Sequence, residues 1–190
     1  MSTIQERILE SIEVKKMILS DPSILDAIQS IVTRLTEKIN VGSTVFFCGN
    51  GGSSADAQHL ATELSGRFYL DRKPIRAEAL GTNPAFTSAI GNDYNFETIF
   101  ARSLEALGRK GDVLFALSTS GKSPNILKAI KYAKSSDIEV VGLTGKDGGA
   151  FVNLCDLLVV IPSDNVPRIQ EAHMLLGHII CEQIEKNLFG

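Results

Sequence analysis

Hydroxyl-bearing side chains are concentrated in residues 118–123 (STSGKS), directly after the apolar run 113–117. Pro124 and the residues after it have the pattern of a helix start. A strand therefore passes into a helix through this serine loop. Free backbone N–H groups and the helix dipole favour an anion at such a junction, and the hydroxyls add donors. The loop predicts a phosphate site, although a serine-rich loop with an ordinary helix cap has the same composition.

A second loop of the same kind follows the apolar strand 44–48 and reads GNGGSS over residues 49–54. Neither loop is a nucleotide fingerprint. A Walker loop requires glycine where Ala116 stands, and the dinucleotide pattern requires glycine where Ser54 stands. The two loops together therefore predict a phosphorylated small molecule as ligand, rather than ATP or NAD.

Acid–base groups follow the second loop. His59 and Glu63 are four residues apart in a helical segment and therefore share one face. Gln170 and His178 lie on a similar stripe of the last helix. An imidazole and a carboxylate near an anion loop suit general acid–base catalysis or metal binding. A solvated His–Glu pair, or a structural histidine in an apolar helix, fits the same residues.

Four other residues have simpler interpretations. His173 is interpreted as structural, and Arg67 and Arg168 are each expected to form a surface ion pair rather than to bind phosphate. Asp93 is expected to cap the helix that follows it. Its functional alternative is a hydrogen bond to sugar hydroxyls.

Strands and helices alternate along most of the chain, which predicts an α/β fold with a parallel sheet covered on both faces. Both loops then lie at the carboxyl edge of the sheet, where one ligand can contact them together. The strands are expected near 44–48, 76–80, 113–118, 139–144 and 157–161, and the helices near 53–65, 84–90, 94–108, 123–135, 148–153 and 166–188.

Two helices are expected before the first strand, with a break at Asp21 and Pro22. The second carries a regular apolar stripe: Ile24, Ile28, Ile31, Leu35 and Ile39. The pair either covers the sheet or packs against another subunit. Because the stripe exceeds what a small domain usually needs, we expect oligomerisation helices over 1–40, joined to a domain over 41–190 in one structural unit.

Composition limits the classes of partner. The 190 residues suffice for one domain, and the net charge of −3 gives no general attraction for nucleic acid or an anionic membrane. No apolar run is long enough to span a bilayer. Three scattered cysteines predict reduced thiols in a cytoplasmic protein.

These motifs together resemble the sugar isomerase (SIS) domain family and, within it, the phosphoheptose isomerases. The resemblance runs from about Val41 to the C-terminus. The residues that carry it are the two loops, Asp56 to His59 with Glu63, Gly66 and Arg67, residues 91–93, residues 143–145, and Arg168 to His173 with His178.

The resemblance implies a five-stranded Rossmann-like sheet and a cytoplasmic homotetramer with active sites near subunit interfaces. It implies conversion of sedoheptulose 7-phosphate to D-glycero-D-manno-heptose 7-phosphate, the first step toward the activated heptose of lipopolysaccharide or other surface glycans. By the same resemblance, Ser118, Thr119, Ser120 and Ser123 hold the phosphate. Asn50, Gly51, Gly52, Asn92 and Asp93 contact the sugar, with Glu63 and Gln170 also on the substrate, and His59, Glu63, Gln170 and His178 are the zinc ligands.

Aldose–ketose exchange needs a base, an acid and help for a developing oxyanion. We expect Glu63 as the base and His178 as its acid–base partner, with Gln170 and His178 of the last helix in a site that another chain completes. Zinc either polarises the carbonyl or only stabilises the site. Two alternatives stay open: a non-catalytic relative that binds a replication initiator, and an isomerase of another phosphosugar.

Overall fold

The computed structural model describes residues 2–190. Its helices are Thr3–Ser20 (α1), Pro22–Asn40 (α2), Gly52–Ser65 (α3), Pro84–Asp93 (α4), Ile99–Leu107 (α5), Pro124–Ser135 (α6) and Val166–Phe189 (α7). Its strands are Val45–Cys48 (β1), Ala77–Ala79 (β2), Val113–Ser118 (β3), Glu139–Gly145 (β4) and Leu157–Ile161 (β5). Two short 3₁₀ turns span Phe96–Thr98 and Gly149–Asn153.

The five strands form one parallel sheet in the order β2-β1-β3-β4-β5. One apolar core lies between the sheet and α2, α3 and α7, and a second lies between the other face and α5 and α6. Every residue of β1 and β3 is buried because helices cover both faces. The predicted three-layer α/β architecture is confirmed.

Helix α2 covers the sheet of its own chain. Pro22 begins the helix, and the Asp21 carboxylate accepts from the Ser23 backbone N–H at 2.9 Å, which confirms the predicted break. Ile31 and Leu35 are almost completely buried in the core that includes β5. The stripe is therefore not surplus, because α7 and the sheet already bury it. Packing of the helix pair against another subunit stays a prediction.

Helix α1 differs from α2. Ile4 and Leu19 are 73% and 72% exposed, and Ile8 and Ile12 are also exposed. Only Val14 and Ile18 of this helix are buried. Surplus apolar surface is therefore present at the start of the chain, but on the first helix. The division at residue 40 stays a prediction.

The segment after β2 departs from the expected helices. Helix α4 continues to Asp93, and the next helical segment begins with the 3₁₀ turn at Phe96. Asp93 is the last residue of α4, so the expectation that it caps the following helix is wrong. Asn95 precedes the 3₁₀ turn instead, and its side chain accepts from the Thr98 hydroxyl at 2.7 Å.

Helices α3 and α7 run side by side in the same direction, and this packing positions the candidate site. A Cβ at Gly177 would lie 2.6 Å from a methyl carbon of Leu60, so a larger residue there would force Leu60 to shift. At the start of the pair, the Gln170 amide lies against Gly52. Within residues 2–190, none of the helices combines the length and apolar character needed to cross a bilayer.

Candidate functional site

The serine loop has the expected position between β3 and α6, at the carboxyl edge of the sheet. Ser118 is buried, and its hydroxyl accepts from the Gly121 backbone N–H at 3.1 Å. The Ser120 hydroxyl accepts from the Lys122 backbone N–H at 3.3 Å. Ser123 precedes α6 but makes no side-chain cap bond, and its hydroxyl lies 3.5 Å from that of Ser118. The loop therefore presents hydroxyl and N–H groups at a helix start, as an anion site requires.

Glycines hold the serine loop against the turn that follows β4. Gly121 has φ +62°, and a Cβ there would lie 2.2 Å from the Gly148 carbonyl oxygen. The Gly121 carbonyl accepts from the Ala150 N–H at 3.0 Å, and a Cβ at Gly149 would lie 2.5 Å from the Ser120 carbonyl oxygen. The turn after β4 therefore braces the serine loop.

An amide pair joins the two Gly/Ser loops. Asn50 donates to Asn125 at 2.9 Å, and Asn125 donates back to Asn50 at 2.8 Å. Asn125 is 2% exposed. The sequence analysis missed Asn125. Its position in the first turn of α6, directly before the apolar Ile126, was the available signal. The pair fixes the relative position of two loops that are 75 residues apart in the chain.

The side chains of His59, Glu63 and His178 converge. The His59 Nε2 atom lies 2.8 Å from His178 Nε2 and 3.0 Å from Glu63 Oε1. One ligand atom from each residue falls within 4.8 Å of the other two. All three belong to one chain, so no second chain is needed to bring His178 to His59 and Glu63. Completion of the site by another chain stays a prediction.

This group borders a cavity of about 540 Å³ that opens to solvent. Phe68 and Tyr69 form part of its wall, and Leu175, Ile179 and Glu182 contribute from α7. The carboxylate is half-buried and next to two imidazoles, so proton donors and acceptors share one cavity. Such an arrangement is suited to acid–base chemistry or to holding a metal ion.

Comparison with known proteins shows the family to which the chain belongs. A model of the SIS domain family matches residues 13–145. The phosphoheptose isomerase of Clostridium acetobutylicum is 48% identical over 98% of this chain and 95% of its own length. The solved phosphoheptose isomerase of Francisella tularensis superposes with a TM-score of 0.92 at 36% identity, covering 98% of this chain and all of that one. The one from Neisseria gonorrhoeae gives 0.89 at 38% identity, covering 97% and 100%.

The chain belongs to the phosphoheptose isomerases of the SIS domain family. The resemblance seen in the sequence is therefore confirmed over almost the whole chain, including α1 and α2.

Gln170 lies apart from the histidine group within the chain. Eight residues separate it from His178 on α7, which corresponds to about 12 Å along the helix. Its amide lies instead against Gly52, beside the loop that contains Gly51. This position fits a substrate contact, whereas its role as a metal ligand stays a prediction.

Asn92 and Asp93 lie at the end of α4, where both are exposed and Asn92 donates to the Asp93 carboxylate at 3.0 Å. Within residues 2–190, neither side chain hydrogen-bonds to the serine loop or to the histidine group. Arg168 forms the expected ion pair, with Glu171. For Arg67, which is exposed, the expected ion pair does not form among the described residues.

His173 is completely buried, and burial lowers its pKa to about 4, so it is neutral at pH 7. The structural interpretation of this residue agrees with that position. Cys48, Cys155 and Cys181 are free, and burial raises the pKa of all three thiols. Thiols with a raised pKa are protonated at neutral pH.

Proposed function

We propose that this chain is an aldose–ketose isomerase that converts D-sedoheptulose 7-phosphate to D-glycero-D-manno-heptose 7-phosphate. The observation that carries the proposal is the convergence of His59, Glu63 and His178 in one cavity. A non-catalytic scaffold has no need for such a group. Membership of the phosphoheptose isomerases supports the same reaction. The product would be the first intermediate toward the activated heptose of lipopolysaccharide or other surface glycans.

The reaction moves one proton between two neighbouring carbons. The ketose has its carbonyl at C2, and a base that removes a proton from C1 produces an enediolate. Return of a proton to C2 then gives the aldehyde at C1. We assign proton removal to Glu63 and proton exchange with the sugar oxygens to His178. His59 lies within 3.0 Å of both side chains and holds them in place.

The phosphate end of the substrate is assigned to the serine loop. Ser118, Thr119, Ser120 and Ser123 surround a helix start whose N–H groups and dipole favour a dianion. Asn50, Gly51, Gly52 and Gln170 follow along the adjoining loop and are assigned to the sugar. Asn92 and Asp93 are assigned to its hydroxyls from α4.

A turnover assay on phosphorylated ketoses tests the proposed function. We expect the highest kcat/KM with sedoheptulose 7-phosphate and weak or no turnover of unphosphorylated sedoheptulose, because the serine loop would have no anion to bind. Hexulose and pentulose phosphates are the matched controls for chain length. A higher kcat/KM with one of them would assign the enzyme to another phosphosugar, and no turnover with any of them would refute the proposed activity.

The donor set of His59, Glu63 and His178 fits a zinc ion. Two imidazole nitrogens and one carboxylate oxygen form a ligand set that catalytic zinc sites use. The two Nε2 atoms are 2.8 Å apart, and a neutral imidazole has only one N–H donor. A cation shared by their lone pairs would satisfy both rings. We therefore propose zinc at this group, where it would act as a Lewis acid toward the sugar oxygens.

We expect protein purified without chelator to contain about one zinc per chain, and His59→Ala to lower that content strongly because it removes one of three ligands. Elemental analysis of the desalted protein measures the content. Glu182→Gln is the matched control, since Glu182 borders the same cavity but lies outside the group. Equal zinc in the wild type and His59→Ala would contradict the assignment.

The quaternary arrangement is also a proposal: a cytoplasmic homotetramer with active sites near subunit interfaces. An apolar cavity of about 500 Å³ lies between α1, α2 and α7, beside the exposed apolar side chains of α1. Leu175 and Ile179 border both this cavity and the one that holds the histidine group. A subunit packed there would lie next to the site. The three free thiols are typical of the reducing cytoplasm.

A further inference from the structure

A segment without regular structure, residues 66–76 between α3 and β2, passes beside the candidate site. Phe68 and Tyr69 of this segment form part of the cavity wall. The Phe68 ring centroid is 6.0 Å from that of His178 and 4.5 Å from that of Tyr69. The conformation of this segment therefore affects the shape of the cavity and the surroundings of His178.

A buried ion pair holds this segment to α7. The Arg72 Nε atom donates to Glu185 Oε1 at 2.8 Å, and both side chains are 2% exposed. The Glu185 carboxylate also accepts the backbone N–H groups of Phe68, Tyr69 and Leu70 at 3.1, 2.8 and 3.0 Å. Burial opposes ionisation of Glu185, but these N–H groups and Arg72 outweigh it and lower its pKa.

The same arginine holds the end of α3. Arg72 donates to the backbone carbonyls of Glu63 and Leu64, each at 2.9 Å. These carbonyls belong to the last turn of α3. The last carbonyls of a helix have no backbone N–H partner within the helix, so they need donors from elsewhere. Glu63, the proposed base, is thus held through its own backbone. Glu185 lies two turns after His178 on α7, so the pair connects the two helices that carry the catalytic group.

Stability alone does not account for a buried ion pair in this position. The cost of removing two charges from water offsets much of the free energy gained from their attraction. Proteins in which apolar residues of similar size replace such a pair are often equally stable. The pair forms directional hydrogen bonds with the backbone of Glu63, Leu64 and residues 68–70, and these bonds fix the position of that backbone.

We propose that Arg72 and Glu185 are positioning residues that set the placement of Glu63 relative to His178 and of the Phe68–Tyr69 wall of the cavity. The expected effect on kcat rests on the proposed function. The expected effect on the positions of the side chains rests on the structure alone. Neither residue touches the reacting atoms. Their effect is transmitted through the end of α3 and through the segment 68–70.

Arg72→Lys tests the proposal because it keeps the charge but loses the planar fork. A lysine ammonium cannot reach Glu185 and two carbonyls in the geometry that a guanidinium allows. We expect kcat to fall at least tenfold while KM changes less than threefold, since the serine loop is untouched. Arg34→Lys is the control for the same chemical change outside the site: Arg34 pairs with Glu139 of β4, and its side chain is 46% exposed.

Imidazole NMR of the metal-free protein provides a measurement that does not depend on turnover. The chain has three histidines, and buried His173 serves as an internal reference. We expect Arg72→Lys to shift the resonances of His59 and His178 but not those of His173, and Arg34→Lys to shift none. If Arg72→Lys does not fold, Glu185→Gln, which keeps the shape of the side chain, takes its place.

The outcomes separate the two proposals. Loss of kcat together with shifted His59 and His178 resonances supports a positioning role. Unchanged kcat, or a loss of kcat with all three histidines unmoved, overturns it. If the wild type proves inactive on every phosphoketose, the proposed function fails, and the resonance shifts still decide whether the pair positions the histidine group.

Discussion

Glu63→Gln is expected to lower kcat for sedoheptulose 7-phosphate by roughly 10²–10⁴-fold, the usual effect of removing a positioned base. Glutamine keeps the size of the side chain and can still accept from its neighbours, but it cannot take up a proton from C1. Steady-state kinetics at saturating substrate measure the effect. The thermal midpoint should stay near that of the wild type, because the side chain is half-buried at the cavity and outside both apolar cores.

His178→Ala is the companion variant, with a loss of similar size expected because it removes the acid–base partner. Mixed oligomers of Glu63→Gln and His178→Ala chains should stay inactive, since Glu63 and His178 converge within one chain. Recovery of activity in such mixtures would show that the functional pair comes from two chains. Near-wild-type turnover in Glu63→Gln alone would remove Glu63 from the role of base.

Gly121→Ala is expected to abolish measurable phosphate-dependent binding and to lower the free energy of unfolding. The new Cβ would lie 2.2 Å from the Gly148 carbonyl oxygen, and the backbone has φ +62°. Overpacking of this kind typically costs about 1–3 kcal/mol, and a left-handed conformation at a non-glycine residue adds about 1 kcal/mol or more. Chemical denaturation and titration calorimetry with sedoheptulose 7-phosphate measure the two effects.

Ser123→Ala is the milder variant of the same loop. It removes one hydroxyl without a clash, and the loss of a hydrogen bond to a charged group corresponds to roughly 1.5–3 kcal/mol of binding free energy. Stability should change little, because the hydroxyl makes no cap bond to α6. Full affinity for the phosphorylated ketose in both Gly121→Ala and Ser123→Ala would mean that the phosphate binds elsewhere.

Local sequence patterns were enough to predict the architecture and the position of both Gly/Ser loops. The apolar runs, and the Gly, Pro and Ser residues that separate them, are local signals. Parallel strands place their carboxyl ends at one edge of the sheet, whatever the details of packing. The predicted strand 113–118 and helix 123–135 agree with β3 and α6 to within a residue. The pairing of His59 with Glu63 followed from helix periodicity alone.

The sequence did not show which helices meet. It suggested that the α2 stripe exceeds what a small domain needs, whereas α7 and the sheet bury it. It did not show that Gly177, which has no side-chain carbon, lets α7 approach α3 and brings His178 to His59. Such contacts depend on side-chain volumes across an interface, which no periodicity along one helix records.

The contacts that hold the site together became visible only in the folded chain. Asn125 pairs with Asn50 across 75 residues, and Arg72 reaches Glu185 across 113. In the sequence, an asparagine at a helix start and an arginine in a loop are typical of a cap and of a solvated surface. When such residues are buried, their polar groups require hydrogen-bond partners. The fold alone determines which residue lies close enough to be that partner.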